Sequence, residues 1–284
     1  MVHSYFSWVM AAASTTSPFP GDPECAAWFA ALSKHAGDQA HVREVADGKC
    51  PYLELRKSEF TKLPYGVFVA CTRLTEIELA ENTHITALPD SLGLLQDLGE
   101  LNLNECTALV TLPECFGDLH ALTRLLLHEC TSLTALPESF GQLKALTNLD
   151  LSYCTSLVTL PESFGRLQAL TELDLNECDS LTALPESFGH LRALTDLSLN
   201  NCNSLTALPE SLGQLQALTK FFLAGCRGLT TLPDSIGNLK ALTKLYLAGC
   251  SGLTVLPESM GRLQSLTMLD LGFCTYTLRR FQNP

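Results

Sequence analysis

Apolar and polar residues alternate in two distinct ways within a short stretch, and the same two ways return again and again. Around residues 148–151 the order is Asn-Leu-Asp-Leu, the period-two mark of a strand with one buried face, so Leu149 and Leu151 should point inward and Asn148 and Asp150 outward. The chain then turns through Cys-x-x-Leu-x-x-Leu-Pro, which adds two inward leucines. After Pro161 the apolar residues Phe164, Leu167 and Leu170 recur every three positions, the spacing of a short 3₁₀ or α-helical turn. Pro161 opens that turn where a missing N–H costs nothing, Glu162 sits where the helix dipole favours an anion, and Gly165 should break the turn early.

The unit is 24 residues long and repeats without slip in the blocks 133–156, 157–180, 181–204 and 205–228. Blocks 85–108, 109–132, 229–252 and 253–276 keep the register, and a weaker copy covers 52–84. A period in this range signals a solenoid: one coil cannot close a core, but stacked coils bury a continuous column of leucines. The expected architecture is α/β, with about ten strands in a parallel sheet spaced roughly 4.8 Å apart on the concave face and short 3₁₀ or α turns on the convex face.

The expected organisation is a leader without fixed structure over 1–21, a helical cap over 22–51, the solenoid over 52–276 and a tail over 277–284. In the cap, residues 22–35 read as a helix with Asp22 at its N-cap, Pro23 next, and an apolar set of Cys25, Trp28, Phe29 and Leu32. The tail supplies little to cover the last coil, so the C-terminal end is expected to be open to a partner or a second copy of the chain.

Eight cysteines fall 24 residues apart: Cys106, Cys130, Cys154, Cys178, Cys202, Cys226, Cys250 and Cys274. A metal site needs ligands converging on a point, and residues one coil apart form a line. Disulfides between coils lack anything to specify the pairing, and a catalytic thiol needs a base, whereas the histidine nearest the ladder, His128, reads as a surface residue. The remaining reading is a structural ladder of buried weak donors reaching turn carbonyls, with Asn82 in the same place in the first regular repeat. No metal, cofactor or catalytic residue is expected.

The pattern LPESFGxLxALTxLxLxxCxSL is similar to the repeats of leucine-rich-repeat proteins, in particular plant intracellular disease-resistance receptors and Ras-group intracellular leucine-rich-repeat proteins. The resemblance implies a curved horseshoe, an asparagine-type ladder and a role in protein recognition, in defence or in small-GTPase signalling. Residues 1–51 contain neither a nucleotide-binding module nor a signalling domain, so a nucleotide switch in cis is not implied.

Charge narrows the partner class. The formal net charge is -12 and the pI about 5.0, which should repel nucleic acid and anionic lipid unless a local basic patch outweighs the mean. No apolar run is long enough for a transmembrane helix. The short apolar run Tyr5 to Ala13 resembles a secretory signal but has no Lys or Arg before it, and no Asn-x-Ser/Thr acceptor occurs. The expected location is cytoplasmic, with secretion as the alternative.

If leucines and cysteines build the frame, function belongs to the outward strand positions. These are acidic through the early and middle repeats and change over Lys220, Phe222, Lys244 and Tyr246. With Met268 and Phe273 one repeat later, these residues form a candidate aromatic anchor for a protein partner, and Glu172, Asp174 and Asp196 a candidate electrostatic guide. Asp150, Ser152 and Tyr153 are further positions expected to face outward. The expected function is a non-catalytic protein-interaction module, an intracellular recognition or signalling scaffold; the alternative is a secreted or cell-surface receptor-like or effector protein.

Overall fold

The computed structural model describes residues 22–31, 36–57 and 60–274; the expected leader, Leu32 and the tail lie outside them. Ten three-residue strands form one parallel sheet in chain order: β1 (Tyr52–Glu54), β2 (Glu76–Glu78), β3 (Glu100–Asn102), β4 (Arg124–Leu126), β5 (Asn148–Asp150), β6 (Glu172–Asp174), β7 (Asp196–Ser198), β8 (Lys220–Phe222), β9 (Lys244–Tyr246) and β10 (Met268–Asp270). Each strand pairs in register with the residue 24 positions on, as in Leu149↔Leu173. Column identity in the sequence is therefore stacking in space.

Opposite the sheet, eight five-residue 3₁₀ helices occupy the proline-led turns, from Asp90–Leu94 to Glu258–Arg262. In the first coil the equivalent element is a true α-helix, α3 (Tyr65–Ala70). Between sheet and helices the leucines of the interior coils are buried, each contributing about 1.5–3 kcal/mol by leaving water. A phenylalanine spine runs behind them: the rings of Phe116, Phe140, Phe164 and Phe188 stack with centroids 6.1 Å apart. On the outer face of the sheet, Phe222 and Tyr246 stack at 4.8 Å. The coils are thus closer on the sheet side than at the spine, which curves the stack with the sheet inside.

One feature of the helices differs from the sequence expectation. Gly165 does not break its helix; it lies within Glu162–Arg166 and permits close stacking, because a Cβ there would overlap the Ser187 carbonyl and Cβ of the next coil. Glu162 lies in the first turn of its own helix, as expected, and its carboxylate also accepts from the Ser187 N–H of the next coil at 3.4 Å, as Glu138 does from Ser163 and Glu210 from Ser235. These carboxylates tie each coil to the next.

At the N-terminal end, α1 (Pro23–Ala31) and α2 (Ala36–Ala46) cover the first coils. Asp22 Oδ1 accepts from the Cys25 N–H at 2.9 Å, and Cys25, Trp28, Phe29, Val42 and Val45 are buried in the common core. At the other end, among the described residues, β10 has a neighbour on one side only, and Leu269, on the inward face, is 40% exposed.

Candidate functional site

Each coil leaves its strand through a tight turn, and that turn decides which side chains are free to bind. The residue before each ladder position adopts a left-handed conformation: Glu105, Glu129, Tyr153, Glu177 and Asn201 have φ of 58–60°, and Gly225 and Gly249 take the same place. The next residue is the ladder residue itself. Cys178 Sγ donates to the Leu151 carbonyl at 3.2 Å and Cys202 to Leu175 at 3.1 Å, and the same bond recurs from Cys106 to Cys274. Asn82 does more, donating to both Leu55 O and Leu79 O at 2.6 Å. Desolvation pushes the thiols of Cys106, Cys178 and Cys226 up to about 12, and Cys130, Cys154 and Cys202 are raised by the same cause. All are free thiols, and no metal-binding cluster exists among the described residues.

The second outward strand column contains turn-building residues and an aromatic pair, besides Leu126 and Ser198, which are neither. Asn102, Asp150, Asp174 and Asp270 each accept, through Oδ1, the N–H two residues on at 2.8–2.9 Å, closing an Asx turn that leads the chain out of the strand. Phe222 and Tyr246 occupy the same column and cannot make that bond. They trade a turn-building group for a stacked aromatic pair, 10° from parallel, on the open face. The signal was present in the sequence as Asp or Asn directly after the strand leucine, but without the turn geometry those residues read as free surface charge.

The acidic guide is also partly engaged. Asp196 pairs with Lys220 at 2.6 Å, and Glu172 accepts from Asn148 at 2.7 Å. Burial, with a smaller effect of the neighbouring Asp150, raises the pKa of Asp174 above the ordinary carboxylate value. A shallow depression of about 360 Å³ lies over these groups, lined by Arg124, Asn148, Asp150, Glu172, Asp174 and Asp196 among others. Lys244 is exposed and has no salt bridge among the described residues, and Met268 pairs beside it in β10. Phe273 lies apart from the strands: it occupies the left-handed turn position after β10, 96% exposed.

Ser152 is not the outward residue the strand pattern implies. It is buried, its hydroxyl donates to Asp150 Oδ1 at 2.5 Å, and His128 Nδ1 lies 2.8 Å from the same hydroxyl. Because serine has one proton and gives it to the carboxylate, His128 must donate. The order His to Ser to Asp is the reverse of a nucleophile-activating relay, in which the serine gives its proton to histidine. Tyr153 packs edge-on against His128 at 5.2 Å, so the histidine braces a turn.

A family model for the leucine-rich repeat matches residues 145–167 and 169–191. The fold is that of a leucine-rich-repeat solenoid. Among solved structures, the solenoid superposes on the leucine-rich repeat domain of the type III effector XopL with a TM-score of 0.76 and 27% identity, covering 88% of this chain and 83% of that one. It also matches the Arabidopsis receptor kinase HAESA, solved with the peptide hormone IDA and the co-receptor SERK1, at a TM-score of 0.54 and 24% identity, covering 83% of this chain and 39% of that one. The Drosophila Toll–Spatzle structure matches at 0.52 and 19%, over 84% of this chain and 34% of the other. The last two likenesses concern the fold alone. A search of curated proteins by sequence finds no match. Among the described residues, no helix of this leucine-rich-repeat solenoid is long and apolar enough to cross a membrane.

Proposed function

We propose that the chain is a non-catalytic protein-interaction module that binds a protein partner on its concave sheet face, with Phe222, Tyr246, Lys244 and Met268 as anchor and the Asp150–Asp174 region as guide for cationic groups. The observation that carries this reading is the Phe222–Tyr246 stack, which replaces two turn-building positions with aromatic area on an open surface. Large, rigid aromatic rings are the side chains in which interfaces concentrate binding energy. An intracellular recognition or signalling role, in defence or small-GTPase signalling, is supported by the free thiol column, which suits a reducing compartment, and by the resemblance of the repeats. The likeness to the repeat domain of a type III effector favours a second reading, an effector-type module acting outside the cell that makes it.

The test is affinity capture from source lysate with the wild-type chain beside a Phe222→Ala, Tyr246→Ala double variant. Partners retained by the wild type should be lost from the variant; identical partner sets from both chains would remove the concave anchor. The open β10 end supports pairing with a second copy, because Leu269 and Met268 are 40% and 46% exposed beside an unpaired strand edge. Light scattering that stays monomeric at high concentration would remove that element.

A further inference from the structure

The chain is acidic overall, yet one edge of the solenoid has the opposite sign. Two columns of side chains follow the glycine of each 3₁₀ helix: one at the last helical residue, with Arg166 and His190, and one two residues later, with Lys144, Gln168 and Arg192. From residue 120 to residue 264 neither column contains a carboxylate. Lys144, Arg166, His190 and Arg192 meet around Gln168 in an open depression of about 350 Å³.

Most of the second column is committed to the backbone. Lys144 Nζ donates to Gly141 O at 2.7 Å and Arg166 O at 2.9 Å, and Gln168 Nε2 to Gly165 O at 2.9 Å and His190 O at 3.0 Å. Gln216 and Lys240 make the same pair of bonds in their own coils. These donors cover the carbonyl oxygens at the helix ends, which would otherwise repel an anion. Arg192 stands in the same column but makes no such bond. Among the described residues, the side chains of Arg166, His190 and Arg192 have no hydrogen-bond or ion-pair partner. Burial, and to a lesser degree the nearby Arg166 charge, lower the Lys144 ammonium from the ordinary lysine value.

The acidic row at the opposite ends of the same helices, Glu138, Glu162 and Glu186, limits what can bind. A five-residue 3₁₀ helix places it only about 8 Å away. A long polyanion or a flat anionic membrane would meet both rows, whereas a compact dianion can stay over the cations within about one screening length. Guanidinium forks suit phosphate oxygens in particular.

We propose that this depression binds a phosphorylated side chain on a protein segment, with Arg166 and Arg192 taking the phosphate and His190 and Lys144 adding positive charge beside it. The adjoining glutamates favour segments with a basic residue near the phosphate. The site is on the helical edge and does not depend on the concave-face reading.

The test uses the full chain immobilised and exposed to two degenerate heptapeptide pools, one with a central phosphoserine and one with serine. The wild type and the Phe222→Ala, Tyr246→Ala variant should retain the phosphorylated pool roughly tenfold better than the other, and Arg166→Gln, Arg192→Gln should abolish that preference. Inorganic phosphate should compete for the retained peptides. No preference in the wild type, a preference that survives the double arginine variant, or retention insensitive to phosphate would each overturn the proposal. Tighter binding to phosphatidylcholine vesicles doped with phosphatidylinositol phosphate than to the peptides would also overturn it, in favour of a membrane surface.

Discussion

Cys178 illustrates how narrow the requirement at a ladder position is. Its Sγ must reach the Leu151 carbonyl from a fully buried site, and that carbonyl already accepts the Cys154 N–H. A serine hydroxyl is a stronger donor on a shorter bond, so it would lie buried at poor geometry. Cys178→Ser should therefore lower stability by about 1–3 kcal/mol, measured by urea denaturation; an unchanged midpoint would contradict the burial argument. The same burial predicts a pH dependence. Desolvation holds the folded thiol at about 12, above the roughly 8.5 of an unfolded cysteine. A raised folded pKa means that the unfolded chain releases its proton first. The contribution is whole below about pH 8.5 and is lost as pH rises toward 12, at about 1.4 kcal/mol per buried thiol per pH unit. The urea midpoint should stay level from about pH 6 to 8 and fall steeply above about pH 9. The regular spacing made the ladder legible in the sequence. Which carbonyl each thiol meets was not, because that partner lies 27 residues away.

The 3₁₀ helix shows the limit of reading an element alone. Taken by itself, PESFG suggests a helix ended by glycine; in the stack, Gly165 is the contact point for the next helix. Gly165→Ala should destabilise by about 1–3 kcal/mol through overpacking. The partner position behaves differently. The hydroxyls of Ser139, Ser163, Ser187, Ser211 and Ser235 are buried without a hydrogen-bond partner, and Cys115 fills the same column in an earlier coil. Small volume, and not the hydroxyl, is what the site requires. Ser163→Ala should be neutral or stabilising by up to about 1 kcal/mol, so the pair of thermal melts, Gly165→Ala lower and Ser163→Ala unchanged or higher, checks the packing account. Loss of stability in both would return the role to the hydroxyl.

For the whole molecule, stability should decline toward the C-terminal coil. Interior strands have neighbours on both sides and a threonine ladder between coils, as in Thr171 Oγ1 to Thr147 O at 3.0 Å. β10 has one neighbour and a half-covered leucine, so in a solenoid whose coils interact only with their neighbours it should open first. Hydrogen exchange should be fastest in β10 among the strands and slowest near β5 to β7; uniform protection would contradict the graded account.

The 24-residue period alone was enough to specify strand number, register, parallel order and the identity of the buried columns, because in a stacked coil each contact repeats at a constant sequence offset. What depended on the folded stack was the duty of each surface residue. Asp150 and Asp174 close turns, Ser152 is buried, and Asp196 is paired with Lys220. Those roles need the left-handed turn after each strand and the side chains one coil above and below, neither of which a linear pattern displays. Phe222 and Tyr246 emerge from that sorting as residues released from the frame, and Arg166 and Arg192 as cations without a partner.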